Sequence, residues 1–430
     1  MRPPLNIAIA GIGTVGAGTV RLLQRNAALL ARGGGRPLVI AGISARDRQR
    51  ARNADIAWLR WYDDPVAMAA DPAVDAVVEL IGGADGIARA VVSAALAHGK
   101  HVVSANKALL AHHGTALARL AEERGVALLF EAAVAGGIPI LKALREGLAA
   151  NNLTRIYGIL NGTCNFILTT MRETGRDFAD VLAEAQQLGY AEADPSFDID
   201  GVDAAHKLAL LAAVAFGCAV DIESVHVEGI RHVSALDIEF AAELGYRIKL
   251  LGVARPTEHG LEQRVHPCMV SRRTSIAHVD GVFNAVVAEG DFVGRVMLEG
   301  RGAGAEPTAS AVVADLLDIA AGRWSSSFTV PAAALAKRPV SPMERHVGAY
   351  YVRLMVVDRP GVIADIAAAL RDEQVSMEQM IQRGRAPGEA VPVVLTTHET
   401  EEAAMRRALK RIGALKTVRE PPRMIRVEML

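Results

Sequence analysis

The sequence predicts an α/β protein in three folded parts: a doubly wound nucleotide-binding unit, an α+β unit on a mostly antiparallel sheet, and a small ferredoxin-like unit at the C-terminus. Three observations predict it. A buried strand runs straight into Gly11-Ile-Gly13-Thr-Val-Gly16 and a helix. Short apolar runs then alternate with helical stretches as far as Phe130, the pattern of a parallel sheet. Beyond residue 350 the order is strand, helix, strand, strand, helix, strand. The expected boundaries are 1–150 for the Rossmann-type unit, completed by 300–325; 151–325 for a substrate and dimerisation domain; 326–347 for a linker; and 348–430 for the terminal unit.

Composition narrows the class. At 430 residues, with 51% hydrophobic and 22% charged, the chain can bury several cores and is not expected to be disordered. A formal charge of −1 without a basic stripe gives no footprint for nucleic acid or anionic lipid. No apolar run is long enough to cross a bilayer, and strand-like sequence by Leu5 leaves no room for a signal peptide. A cytoplasmic protein with neither nucleic acid nor membrane as partner is expected. Cys164, Cys218 and Cys268 are scattered without metal-ligand spacing and read as free thiols.

Taken in order, Leu5 to Ala10 reads as a buried strand and about Thr14 to Leu30 as an amphipathic helix. Between them the glycines allow a tight turn and close pyrophosphate approach, so Gly11, Gly13, Thr14, Val15 and Gly16 are the expected cofactor contacts. A βα turn that binds nothing would look similar. After the Gly33–Gly35 loop, a strand from Pro37 to Ile43 ends in Ser44-Ala-Arg46-Asp47-Arg48. An acid there would meet the ribose hydroxyls of NAD; Ser44, Arg46 and Arg48 instead suit the 2′-phosphate of NADP, with Asp47 the competitor. Trp58 and Trp61 read as packing residues. A strand over 74–81 ends in Gly82-Gly83, and the strand His101 to Ser104 leads into Lys107. Lys107 therefore stands at the carboxyl end of a parallel strand, where open sheets put their ligands.

From residue 151 the pattern changes. A strand-like run over 153–161 precedes Gly162-Thr163-Cys164-Asn165, where a helix begins with free amides suited to a carboxylate. Cys164 has no histidine or acid arranged with it and reads as packing. Runs over 246–254, 261–270 and 282–288 predict the antiparallel sheet and a subunit interface. Residues 300–310 turn glycine-rich before a helix to Ala321, and 322–345 read as a linker.

The densest chemistry lies between Ala185 and Lys207. Glu192, Asp194, Asp198, Asp200 and Asp203 lead to Lys207 and an apolar helix from Leu208 to Val214. Asp203 and Lys207 share a helix face at i,i+4, and turn residues place Glu192 and Asp198 on loops feeding it. A solvated acidic loop with one ion pair fits the same spacing.

This stretch, A-x-x-x-G-Y-A-x-x-D-P-x-x-D-I-x-G-x-D-x-x-x-K, resembles the signature of the homoserine dehydrogenases at every fixed position. The resemblance implies NAD(P)-dependent interconversion of aspartate 4-semialdehyde and homoserine, on the route to threonine and methionine. It implies Lys207 and Lys107 as catalytic groups, the latter in the family's S-A-N-K run beside substrate and nicotinamide. Glu192, Asp198, Asp203, Thr163, Tyr190 and Gly162 follow as substrate contacts, the N-G-T-x-N run being shared too. The family's G-x-G-A-x-x-P-T-A-S-A-V-V run adds Gly302 and Gly304 to the cofactor contacts. Its Glu131–Pro139 loop implies a monovalent cation, sodium, held through main-chain oxygens of Glu131, Val134, Gly136 and Ile138. One departure, Ala84-Asp85-Gly86-Ile87, replaces the more usual acid and proline of the cofactor loop.

The terminal unit carries Asp358-Arg-Pro360-Gly361-Val362 and looks like an ACT domain, an amino-acid-sensing module. That implies a homodimer or homotetramer inhibited by threonine, with Asp358, Gly361 and Val362 beside the effector. A pure dimerisation domain is the alternative. Removal of the chain after Pro342 is expected to leave an active, unregulated dehydrogenase.

Overall fold

The computed structural model describes residues 2–383 and 388–430. The chain opens with β1 (Leu5–Ala10), α1 (Thr14–Arg25), α2 (Ala27–Gly34), β2 (Leu38–Ser44), α3 (Pro65–Ala70), β3 (Ala76–Glu79), α4 (Ile87–Ala97), β4 (His101–Ser104), α5 (Lys107–Glu123) and β5 (Leu128–Leu129). The strands form one parallel sheet in the order β2-β1-β3-β4-β5. Ile7, Ile9, Val77, Val78, Val102 and Val103 are fully buried, because helices cover both faces. The order turns around between β1 and β3, which opens a crevice at the carboxyl ends of the strands.

Two local expectations change here. The helix expected from Thr14 to Leu30 is broken at Asn26, whose backbone (φ −105, ψ 17) leaves the helical region. Gly33 and Gly34 therefore belong to α2, and only Gly35 lies beyond it. Trp58 is 64% exposed rather than packed, since residues 53–60 form no element that could close over it. Trp61 instead lies beneath the guanidinium groups of Arg48 and Arg52, at 5.7 and 5.6 Å.

The second part runs α6 (Ala132–Ala135), α7 (Ile140–Lys142), β6 (Leu153–Ile159), α8 (Gly162–Thr174), α9 (Phe178–Gln187), α10 (Ser196–Ile199), α11 (Val202–Phe216), β7 (His226–Val227), α12 (Ala235–Glu243), β8 (Tyr246–Thr257), β9 (Gly260–Ser271), β10 (Phe283–Gly290), β11 (Gly294–Arg301) and α13 (Ala305–Ala321). Apart from the short β7, its strands pair antiparallel. Helix α11 is buried along almost its whole length, which explains its apolar run. Helix α13 returns to the first sheet: Val312, Leu316 and Ile319 share a core with Ile7, Ile9 and Val20.

The last part runs β12 (Val347–Val357), α14 (Val362–Asp372), β13 (Met377–Gln382), β14 (Ala390–Thr397), β15 (Thr400–Glu401), α15 (Glu402–Gly413) and β16 (Arg423–Glu428). Its main strands lie in the ferredoxin-like order β16-β12-β14-β13. The edge strand β16 also pairs in parallel with β9, with Arg426 opposite Cys268 and Glu428 opposite Val270. One sheet thus runs unbroken from β11 to β13. The connection over 322–345 is a packed strap: Phe328, Ala332 and Leu335 are buried, and Thr329 and Arg338 donate to the last carbonyls of α11, Val214 (2.7 Å) and Phe216 (2.8 Å).

Candidate active site and family

The fingerprint turn sits at the carboxyl end of β1. A Cβ on Gly11 would meet the Leu80 carbonyl at 2.5 Å and one on Gly16 the Gly11 carbonyl at 2.1 Å, so the turn closes only without side chains. Gly13, at the N-cap of α1, has nothing within 4 Å of its missing Cβ and leaves a cradle open at the helix N-terminus. Thr14 and Val15 begin the helix. The adjoining cleft, about 650 Å³, is lined by Gly11, Gly13, Ser44, Arg46, Asp47 and Arg52 among others. Asp47 spends its carboxylate on the amides of Gln49 (2.8 Å) and Arg50 (3.2 Å), holding its own loop. Arg52, which sequence reasoning passed over, donates to the Ile12 carbonyl at 2.8 Å and to the Asp47 and Arg50 carbonyls. The open cradle at the helix N-terminus fits a dinucleotide pyrophosphate.

At the ends of β3 and β4 a second missed residue organises the backbone. Glu79 is fully buried, accepts from Ser104 Oγ (2.7 Å) and from the amide of Ile81 (2.7 Å), and lies 3.4 Å from Asn106 Nδ2. Asn106 also donates to the Gly83 carbonyl at 2.8 Å and caps α5 through the Leu109 amide. These bonds fix Lys107 at the first turn of α5. A carboxylate ending an otherwise apolar strand was the available signal.

Lys107 meets the other functional segments at Asp203. The Asp203 carboxylate takes the Lys107 ammonium on one oxygen (2.9 Å) and the Lys207 ammonium on the other (2.7 Å). Lys207 also donates to the Leu160 carbonyl at 2.8 Å. Burial works against the Asp203 charge, but the two lysines outweigh it and hold its carboxyl well below the usual range. Asn161, the N-cap of α8, donates to Asp203 and Asp198, both at 2.8 Å. Burial and the neighbouring Asp203 charge push Asp198 upward. Thr163, beside Gly162 at the start of α8, donates to the Tyr190 carbonyl (2.7 Å) and lies 3.3 Å from Asp198. The Tyr190 ring rests on Phe166. Phe197 places its ring 5.7 Å from the Lys107 ammonium.

The structure thus gathers Lys107, Lys207, Asp203, Asp198 and Thr163 into one cluster, with Asn161 as a partner sequence reasoning had not picked. Glu192 is exposed on the loop before α10, where its carbonyl accepts from Gln186 Nε2 at 3.0 Å. Cys164 is fully buried, its thiol donating to the Asp198 carbonyl and pushed up by burial, as a packing residue would be. All three cysteines are free and buried.

The 131–138 loop packs against α13 and the turn that precedes it. The Glu131 carboxylate accepts from the amides of Leu141 and Lys142 (both 2.8 Å), and its own amide donates to Asp315 of α13 (2.9 Å). Burial, with Asp315 nearby, pushes Glu131 up to about 7. Its carboxylate is therefore committed within the protein. Of the main-chain oxygens that the resemblance assigns to a cation, the Ile138 carbonyl accepts from the Ile140 amide at 2.8 Å. A Cβ on Gly136 would meet the Gly302 carbonyl at 2.3 Å, so this loop backs directly onto the Gly302–Gly304 turn that precedes α13. At the C-terminus, Gly361 (φ 94) caps α14, and Asp358 and Val362 line a cleft of about 310 Å³ with Pro360 and Gln382.

The same three parts are matched by known families. Residues 11–131 match the NAD-binding domain of homoserine dehydrogenase, 139–317 homoserine dehydrogenase, and 350–414 the ACT domain. The chain is 46% identical to a homoserine dehydrogenase of Pseudomonas aeruginosa, over 99% of both chains. It superimposes on the crystal structure of a homoserine dehydrogenase from Thiobacillus denitrificans with a TM-score of 0.94, at 47% identity, covering 99% of this chain and 98% of that one. A hyperthermophilic archaeal homoserine dehydrogenase, solved with NADPH, matches at 28% identity and TM-score 0.65, over 75% of this chain and 99% of its own. A nucleotide fingerprint, a two-lysine site and full-length likeness coincide, and the chain belongs to the homoserine dehydrogenases, NAD(P)-dependent oxidoreductases, with a C-terminal ACT domain.

Proposed function

We propose that the chain reduces aspartate 4-semialdehyde to homoserine reversibly, for threonine and methionine synthesis in the cytoplasm. The observation that carries this reading is the Asp203 carboxylate shared between Lys107 and Lys207 at the mouth of the nucleotide-binding sheet. NADP, when bound, supplies or accepts the hydride. Among the described residues Lys207 has two acceptors for three N–H donors, so one donor remains for the substrate oxygen. Asp203 orients both ammonium groups, and Lys207 hands the oxygen its proton or stabilises the developing alkoxide. Asp198, Glu192 and Thr163 supply the acceptors an α-ammonium needs. The α8 N-terminus at Gly162, with Tyr190 beside it, suits the substrate carboxylate.

NADP is the preferred cofactor, with NAD as the alternative. Asp47 is tied to its own loop, whereas Ser44 and Arg46 line the cleft. The C-terminal cleft at Asp358, Gly361 and Val362 takes threonine as inhibitor, sodium sits in the 131–138 loop, and the enzyme acts as a homodimer or homotetramer. Initial rates with homoserine against NADP and NAD, with and without threonine, test the reading. Turnover with NADP that falls on adding threonine supports it. No oxidation of homoserine with either cofactor would overturn it.

A further inference from the structure

The C-terminal module reaches the substrate loop through one short segment. Arg426, on β16 and 1% exposed on its side chain, donates to both oxygens of Glu228 at 2.8 and 2.9 Å. Two further donors go to Glu402 at the start of α15, at 2.5 and 2.6 Å. Glu228 follows β7, takes a further hydrogen bond with His226 (2.8 Å), and donates its amide to the Val265 carbonyl of β9 (2.8 Å). The next residue, Gly229, lies backbone to backbone on the acid loop: a Cβ there would meet the Ile199 carbonyl at 2.2 Å and the Asp200 Cα at 2.5 Å. The Ile230 amide then donates to the Ile199 carbonyl at 2.9 Å. Arg231 clamps both Asp200 oxygens and donates to Ser196 Oγ at 2.9 Å. Residues 226–231 are thus a bracket. It is gripped by the C-terminal strand at Glu228 and grips α10 and its flank from Ser196 to Asp200. Asp198 lies within that gripped stretch, and Gly201 and Asp203 follow it directly.

We propose that Arg426 and Glu228 are positioning residues for the substrate: the C-terminal module holds Asp198 in register through the bracket at residues 226–231. Neither residue touches the reacting groups. The bidentate pair fixes Glu228 in distance and angle, and Gly229 passes that placement to the acid loop by direct backbone contact. The acid loop is thus placed from outside the catalytic region. The same bracket is the physical connection by which an amino acid bound to the module could alter substrate affinity.

The proposal rests on the reading of Asp198 as a substrate-side acid, and the test separates the two. In the full-length enzyme, Glu228→Gln keeps the shape and weakens the grip of Arg426. Homoserine KM should rise about tenfold while NADP KM changes less than about twofold, since one lost charge-assisted contact is worth about a factor of ten. Arg426→Lys, which keeps the charge but not the fork, should show the same split in smaller measure. Arg383→Ala is the control: it cuts another tie between module and catalytic region, to Glu239 and Glu243, that does not meet the bracket. It should leave both KM values unchanged even where it lowers the melting temperature. Asp198→Asn must itself raise homoserine KM. If it does and Glu228→Gln does not, the bracket is only structural and the proposal falls. If Asp198→Asn leaves homoserine KM unchanged, the assignment of the acid loop fails first.

Discussion

Two clusters of acidic and basic side chains in this molecule serve opposite ends. At the candidate site, Lys107 and Lys207 share Asp203, and their ammonium groups retain donors with no protein acceptor among the described residues. At the seam between β9 and β16, donors and acceptors close on one another. Arg264 donates to Glu262 (2.8 Å), to Glu428 and to His266 Nε2 (2.9 Å), while Arg426 is divided between Glu402 and Glu228. Because Arg264 can only donate, His266 Nε2 is the acceptor and Nδ1 carries the proton. Burial, with the charges of Arg426 and Arg264, holds His266 well below its ordinary pKa. His266, Cys268 and Glu428 have the spacing of a metal site, yet Arg264 already occupies the histidine nitrogen and the carboxylate. The difference lies in access: the Lys107 side chain is 34% exposed, whereas those of Arg264 and Arg426 are 1% exposed. A cluster closed off from solvent fixes register, and one that opens to solvent is left free to act on a substrate.

The largest effect that tests this contrast should come from Lys207→Ala. Turnover should fall about a thousandfold with NADP affinity nearly unchanged, within the span seen for positioned proton donors. A variant with near-normal kcat would place the proton transfer elsewhere. Next, Arg264→Met should leave Glu428 buried without its main partner, while Glu262 keeps Arg255 and His346. It should cost about 3 kcal/mol in denaturant unfolding, with homoserine KM in the folded enzyme far less affected than by Glu228→Gln. Unchanged stability would mean that the seam is not a structural cluster.

Smaller effects sharpen the active-site half. Glu192→Gln should raise homoserine KM about tenfold by removing one charge facing the ammonium, while NADP KM stays nearly constant. A selective loss of cofactor affinity would move Glu192 to the other side of the site. Arg46→Ala should lower kcat/KM with NADP by about tenfold, the worth of one phosphate contact, and spare NAD. Equal losses with both cofactors would point to general electrostatics at the cleft.

The seam also changes what truncation would show. Cutting after Pro342 removes β16 from β9, and with it the partners of Arg264, Glu228 and Asp237, the last of which takes Arg353 (2.7 Å) and Tyr351 (3.0 Å) of β12. Loss of activity in such a fragment would report broken ion pairs as readily as lost regulation. Substitutions at single residues separate the two.

By itself the sequence determined the parallel sheet, the glycine turn, the buried α11 and the ferredoxin-like order. Each is written locally, as an apolar period, a turn residue or a fixed spacing between neighbours. It also determined the i,i+4 pair of Asp203 and Lys207, because one helix carries both. Only the tertiary structure decided that Lys107 reaches the other oxygen of the same carboxylate, that Glu79 holds the loop behind it, and that Asn161 bridges Asp198 and Asp203. It also decided that β16 closes the edge of β9, since strand pairing between distant segments leaves no mark on either one alone. Contacts between residues far apart in the chain depend on how separately specified elements pack, and no local period records that choice.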